Sequence, residues 1–225
     1  MIPDPTVLGP TLAPYGADTT FAAHHRAHYA AMAAKARTRS AERDWSAYDL
    51  AYVRALGVPD HEEVEAAVVL GRTRSAYLWR APVPGAVEAL RRLHEAGVPI
   101  GVVSNASGQI EATLRRALVC EVLAGDAAAL ADGSGELRSS SAVPVACVVD
   151  SELVGVSKPD PAIFAHGLAA IGHPDPARVA YIGDSVTMDV EGAAAAGLHP
   201  VHLDPYDDWP DAPWDRIAAL WELLG

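Results

Sequence analysis

One hydroxyl, one ammonium and two carboxylates stand just beyond short apolar runs in this chain. Ser104 and Asn105 close VPIGVVSN (98–105), and Lys158 lies in VGVSKPDPAIF (154–164). Gly183 and Asp184 end RVAYIGDS (178–185), with Asp189 five residues beyond Asp184. In open α/β sheets ligands sit outside the carboxyl ends of the strands, so groups that follow such runs share one edge. Helix starts at Ser107, Asp160 and Thr187 would turn backbone N–H groups towards the same edge.

The chemistry such a set could do is phosphoryl transfer, which depends chiefly on positioning and on neutralising charge around nonbridging oxygens. Lys158 would act as a point charge on the phosphate, and Ser104 would donate a hydrogen bond to it. Asn105 would join them in binding substrate. Asp184 could hold Mg²⁺ through a carboxylate oxygen, and Asp189 is placed for a metal-bound water or a partner one shell out. Gly183 suits a tight backbone turn beneath the metal. Taken singly, each of these has a plainer use as a helix cap or turn residue; their order along one sheet edge is what favours chemistry.

The elements that must position them follow from hydrophobic periodicity. After Pro82 and Pro84, apolar runs alternate with amphipathic segments: helices at 85–96, 108–118, 161–171 and 187–196, runs at 98–105, 144–150, 178–185 and 199–204. That alternation predicts βαβ units and a parallel sheet with helices on both faces. Residues 10–80 read as helical throughout. Asp18 or Thr19 could cap a helix to Lys35, a second helix starts near Asp44 or Ser46, and Asp60 with Glu63 forms a capping-box pattern for a third. The stretch 124–141 reads as a surface insertion, or a flap. The acidic, proline-rich 204–216 reads as a solvated connection to a last helix with Ile217, Leu220, Trp221 and Leu224 on one face.

The chain has 225 residues, half of them apolar, and Lys+Arg 17 against Asp+Glu 29 gives a net charge of −12. A surface this acidic repels nucleic-acid phosphates and anionic lipid, so neither is an expected partner. With no signal peptide and no apolar run long enough to span a bilayer, the sequence reads as cytoplasmic. Cys120 and Cys147 form no framework or CxxC spacing and read as small buried hydrophobes. His24, His25 and His28 cluster without a third-ligand pattern and are expected as exposed residues of the helical module. Arg72, Arg74 and Arg80 read as solvated helix-surface cations that could also meet a substrate anion, and Tyr77 with Trp79 as hinge packing.

The segments VVSNASG, VGVSKPDPAIF and YIGDSVTMDVEGAAAAG resemble motifs II, III and IV of the haloacid dehalogenase-like (HAD) hydrolase superfamily. The resemblance implies a Rossmann-like three-layer α/β/α core at 81–225, an inserted all-helical cap at 10–80, and a short remnant of core at 1–9. It implies Ser104 and Lys158 as the phosphate-binding, catalytic pair and Asp184 with Asp189 as the acidic pair at a Mg²⁺ site. It favours a phosphatase of a small phosphorylated metabolite working through an aspartyl-phosphate. The family's nucleophile motif, DxDGT at the end of a central first strand, has no counterpart here, while MIPDPTVLGPTLAPYG resembles what normally follows it. The expectation is that the chain begins just downstream of that motif, lacks the first central strand, and is inactive as it stands. A non-catalytic phosphate- and metal-binding module, or a metal-independent 2-haloacid dehalogenase, are the alternative readings.

Overall fold

The computed structural model describes residues 1–39, 41, 43–123 and 141–225. Most of the stretch expected as an insertion or flap, 124–140, lies outside the described residues.

The chain opens with β1 (Ile2–Pro3), antiparallel to β2 (Trp79–Ala81), so the two ends of the helical segment leave side by side. Between them run α1 (Pro5–Leu12), α2 (Phe21–Thr38), α3 (Ser46–Ala55) and α4 (Glu63–Thr73). Asp4 caps α1 by accepting the Thr6 N–H at 2.8 Å. Thr20, rather than Asp18 or Thr19, caps α2, because its hydroxyl reaches the Ala23 N–H at 3.2 Å while Asp18 is spent on the Thr20 N–H. The expected capping box at Asp60 does not form; α4 begins at Glu63 with no side-chain cap, and Glu63 pairs with Arg54 at 2.7 Å instead. Leu8, Leu12, Ala27, Ala31, Tyr48, Tyr52, Leu56 and Leu70 make one continuous apolar core for these helices. Small alanines on α2 let α3 approach closely enough for Tyr48 and Tyr52 to be fully buried.

Beyond β2 the alternation holds. It comprises α5 (Ala86–Glu95), β3 (Gly101–Ser104), α6 (Ile110–Arg116), β4 (Cys120–Val122), β5 (Val143–Val145) and β6 (Cys147–Asp150). There follow α7 (Ser151–Val154), α8 (Ala162–Ala170), β7 (Ala180–Gly183), α9 (Glu191–Ala195), β8 (His199–Leu203) and β9 (Asp215–Ile217). Apart from β1 and β2, every strand pairing among the described residues is parallel. Two apolar clusters flank the strands, one around Ile110, Leu114 and Val143, the other around Val149, Ile163, Phe164 and Ala193. This is an α/β, Rossmann-like core.

Two features depart from the sequence expectation. The single apolar run 144–150 divides at Ala146 into β5, which pairs with β4, and β6, which pairs with β3. The parallel strands also form separate sheets, β3–β6, β4–β5 and β7–β8–β9, with no ladder between β3 and β7 among the described residues. That slot is where a central first strand was expected to be missing. A side chain spans it: the Tyr181 hydroxyl donates to the Val103 carbonyl at 2.9 Å. The expected last helix is also revised. Ile217 belongs to β9, and only Leu220–Leu224 turns, as a 3-10 helix that leaves Trp221 62% exposed.

Candidate active site

The carboxyl ends of β3 and β7 lie on either side of the slot, and the sequence-selected groups gather there. Parallel register sets Ser104 opposite Asp150 and Gly183 opposite His202. Ser104 is half-buried, and its hydroxyl has no side-chain hydrogen bond among the described residues, which leaves it open to a ligand.

Lys158 is buried, and its ammonium donates to Asp189 Oδ1 at 2.6 Å, the Tyr181 hydroxyl at 2.8 Å and the Val103 carbonyl at 3.3 Å. Burial alone would depress its pKa. The Asp189 charge and the Tyr181 hydroxyl outweigh that and raise it above the ordinary lysine value, so the cation is permanent. Asn105 holds Lys158 by its backbone on both sides of the amide, donating to the Lys158 carbonyl at 2.9 Å and accepting the Lys158 N–H at 2.8 Å. The residue after Ser104 thereby fixes where Lys158 leaves the chain.

Asp189 sits on a π-helical turn (Val186–Val190) capped by Ser185. Both its oxygens are engaged, Oδ1 by Lys158 and Oδ2 by the Ser185 N–H at 2.9 Å. Asp184 differs. Its Oδ2 accepts from His28 Nε2 at 3.0 Å, and its Oδ1 carries no hydrogen bond among the described residues. Burial pushes this carboxyl's pKa up, but the His28 hydrogen bond, with the amino terminus and Lys158, holds it down at about 2. Mg²⁺ takes one or two carboxylates and completes its shell with water and phosphate oxygens. Asp184 Oδ1 could supply one carboxylate oxygen to such a shell, and the Lys158 ammonium would meet the phosphate and not the metal. Among the described residues there is no group of three or more side chains that would hold a metal on their own.

A loop of tight turns carries Ser104 into α6. Buried Asp150, at the end of β6, accepts the N–H groups of Gly108 at 2.9 Å and Glu152 at 3.0 Å. Ser151 both accepts from and donates to the Ala106 backbone. A cavity of about 510 Å³ opens beside this loop, lined by Arg43, Trp45, Asn105, Ser107, Ser151 and Ser157 among others. It joins the α2–α3 connection to the strand ends.

The histidines are a correction. His24 and His28 are buried, not exposed, because α3 offers each a tyrosine: His24 Nδ1 lies 2.8 Å from the Tyr52 hydroxyl and His28 Nδ1 lies 2.9 Å from that of Tyr48. The segment 204–216 is likewise no free connection. Asp208 takes Arg26 of α2 in a two-pronged pair at 2.6 and 2.7 Å, and the Asp208 carbonyl accepts from Arg37 at 2.6 Å. Arg26 and Arg37 also lie over the rings of Tyr206 and Trp209. Arg74 and Arg80 are paired with Asp49 and Asp4. Arg74 stacks on Trp45, and Trp45 packs against Trp79.

A family model for haloacid dehalogenase-like hydrolases matches residues 12–197. The chain belongs to that family. Among relatives of this HAD-like chain, a glyceraldehyde 3-phosphate phosphatase of Methanopyrus kandleri is 29% identical over 184 residues, 76% of this chain and 69% of the relative. The pyrimidine 5'-nucleotidase YjjG of Escherichia coli is 38% identical over 79 residues, 34% of this chain. That match takes in 35% of the nucleotidase. The HAD-hydrolase YfnB from Bacillus subtilis, solved bound to magnesium, superposes with a TM-score of 0.55 at 16% identity, covering 99% of this chain and 92% of YfnB. It shares the HAD fold. No helix among the described residues is long and apolar enough to cross a membrane.

His28, Tyr181, Asp150 and His202 were not singled out as working residues by sequence. His202 is buried with Nε2 3.3 Å from the Asp184 carbonyl, so it props the backbone that presents the carboxylate. Only the i, i+4 spacing of His24 and His28 gave any signal, and it fitted several uses equally.

Proposed function

We propose that this chain carries the phosphate- and cation-binding side of a Mg²⁺-dependent phosphatase acting on a small phosphorylated metabolite. One observation carries the reading: the Lys158 ammonium, fixed by Asp189 and Tyr181, is bonded to the carbonyl of Val103, the residue before Ser104, and lies close enough to Asp184 to help hold its carboxyl ionised. Fixed cations and donors aimed at phosphate oxygens are what phosphoryl transfer requires. The phosphatase relative that spans most of this chain supports the same class.

In this reading Ser104 O–H and Lys158 N–H donate to nonbridging phosphate oxygens. Asp189 and Tyr181 hold the ammonium in place, and Asn105 fixes its backbone. Asp184 is the residue that would hold Mg²⁺, which when bound draws charge from the phosphoryl oxygens; Asp189, with its oxygens taken by Lys158 and the Ser185 N–H, would act on the site through Lys158 instead of as the metal ligand its spacing suggested. Residues 10–80 form a cap that closes on the core at 81–225 and excludes water, and the cavity by Trp45 and Ser107 receives the part of the substrate beyond the phosphate.

The described residues place no aspartate at the end of a strand in the slot between β3 and β7. In this reading the attacking carboxylate would stand in the slot between β3 and β7. Its oxygen forms a bond to phosphorus as the phosphorus–oxygen bond to the leaving group breaks, and water later hydrolyses the aspartyl-phosphate. Without it the 225-residue chain should bind but not turn over.

The test pairs binding with turnover. Titration calorimetry with Mg²⁺ and orthovanadate should detect binding to the 225-residue chain, abolished in Lys158→Met. Protein isolated from its source, with its amino terminus mapped, should release phosphate from a metabolite panel. Failure of both preparations to bind vanadate overturns the phosphatase reading. Robust turnover by the 225-residue chain overturns the need for another carboxylate. Vanadate binding with no turnover by source protein that starts at Met1 favours the non-catalytic module.

A further inference from the structure

We propose that His28 is a positioning residue for Asp184, holding one carboxylate oxygen so that the other faces a divalent cation, and that cation binding therefore requires α2 to be docked. The inference rests on the reading of Asp184 as the cation carboxylate.

His28 reaches Asp184 from a different part of the fold, 156 residues away in sequence. Its side chain is only 2% exposed, against 26% for Asp184. Its two ring nitrogens have distinct partners. Asp184, as a carboxylate, can only accept, so Nε2 carries the hydrogen that it takes at Oδ2, and with the ring in that tautomer Nδ1 is the acceptor for the buried Tyr48 hydroxyl 2.9 Å away. Tyr48, His28 and Asp184 thus form a directional chain that ends on one carboxylate oxygen and leaves Oδ1 open.

Helix–helix adhesion does not account for this arrangement. His24, one turn earlier on the same face, makes the matching bond to Tyr52 and is equally buried, yet its Nε2 has no hydrogen-bond partner among the described residues. Both histidines bind α2 to α3; only His28 continues to the strand ends. Partners behind a metal-binding carboxylate fix its rotamer and tune its affinity, and their removal typically weakens metal binding about 10–100-fold. The strap from Asp208 to Arg26 and Arg37 holds the same helix against the core, so the geometry of Asp184 and the docking of α2 stand or fall together.

The test is titration calorimetry of the 225-residue chain with Mg²⁺ or Mn²⁺ alone, which needs no turnover. His28→Leu should weaken cation binding about 10–100-fold. His28→Gln, which keeps an N–H at a similar reach, should recover most of the affinity, and Tyr48→Phe should show a smaller loss. His24→Leu removes an equally buried ring and should leave cation affinity as in the parent, while losing thermal stability comparably. Cation affinity unchanged or tighter in His28→Leu and His28→Gln overturns the inference, as does an equal loss in His24→Leu. If His28→Leu fails to fold, Tyr48→Phe decides: cation affinity as in the parent overturns the inference. If the parent chain binds no cation, the assignment of Asp184 falls and this inference with it; if the parent binds and the His28 variants bind equally, the inference alone falls.

Discussion

A Cβ at Gly183 would stand 2.2 Å from Cγ of Asp189. The glycine therefore serves a different purpose from the one its place after a strand suggests: its backbone is not left-handed, and what it supplies is room for the carboxylate that anchors Lys158. Gly183→Ala should displace Asp189, loosen the Lys158 ammonium and destabilise the fold by about 1–3 kcal/mol. Urea unfolding measures the stability, and vanadate titration should show anion binding weakened in step.

The Lys158–Asp189 pair is buried, so the two partners are not independent. Lys158→Met leaves an unpaired buried carboxylate and is expected to lose about 3–5 kcal/mol, whereas the double variant with Asp189→Leu should recover much of that. A double-mutant cycle by denaturant unfolding gives the coupling. A double variant no more stable than Lys158→Met would show that the pair does not carry this energy.

Cys120 offers a pH handle away from the strand ends. Burial raises its thiol from the ordinary 9.0 to about 11, slightly opposed by the nearby amino terminus. A folded-state pKa above the unfolded one means the stabilisation is complete below pH 9 and is lost as pH rises towards 11. Stability should therefore fall over that window by on the order of 2 kcal/mol more than in Cys120→Ala. A thiol-reactive dye at pH 8 should label Cys120 only on unfolding.

The strap from Asp204 to Arg216 is open to test by salt and protease. Asp208→Ala removes the Arg26 pair, and Arg37→Ala removes the contact with Trp209. Each should cost about 1 kcal/mol or less, because these groups are partly solvated. Faster proteolysis between Tyr206 and Trp214, mimicked in the parent by high salt, is the expected readout.

The parallel core and its edge groups were legible because their signals are local. Strand ends at Ser104 and Gly183 come from short apolar runs, and Lys158 from the turn SKPD. What stayed illegible depends on distant partners. Whether His28 is exposed turns on Tyr48 and Asp184, and no spacing within α2 encodes either. The same holds for 204–216, whose acidic and proline-rich composition suits open solvent until Arg26 and Arg37 close on it. Asp189 was placed correctly on its helical turn, yet its commitment to Lys158 and the Ser185 N–H is a matter of three-dimensional register. The division of 144–150 between two strands has no marker in hydropathy, since the run from Pro144 to Val149 is apolar on both sides of Ala146.

The slot between β3 and β7 also shapes how the molecule breathes. Val103 and Tyr181 are joined by a hydroxyl bond and not by a ladder, so among the described residues no backbone ladder couples opening of the pair β3–β6 to opening of the trio β7–β8–β9. Amide protons on the two sides would exchange with solvent as separate cooperative units. Lys158, bonded to Val103 on one side and Asp189 on the other, is the stitch between them. The residue best placed to hold a phosphate is thus also the one whose loss would let the two halves exchange independently.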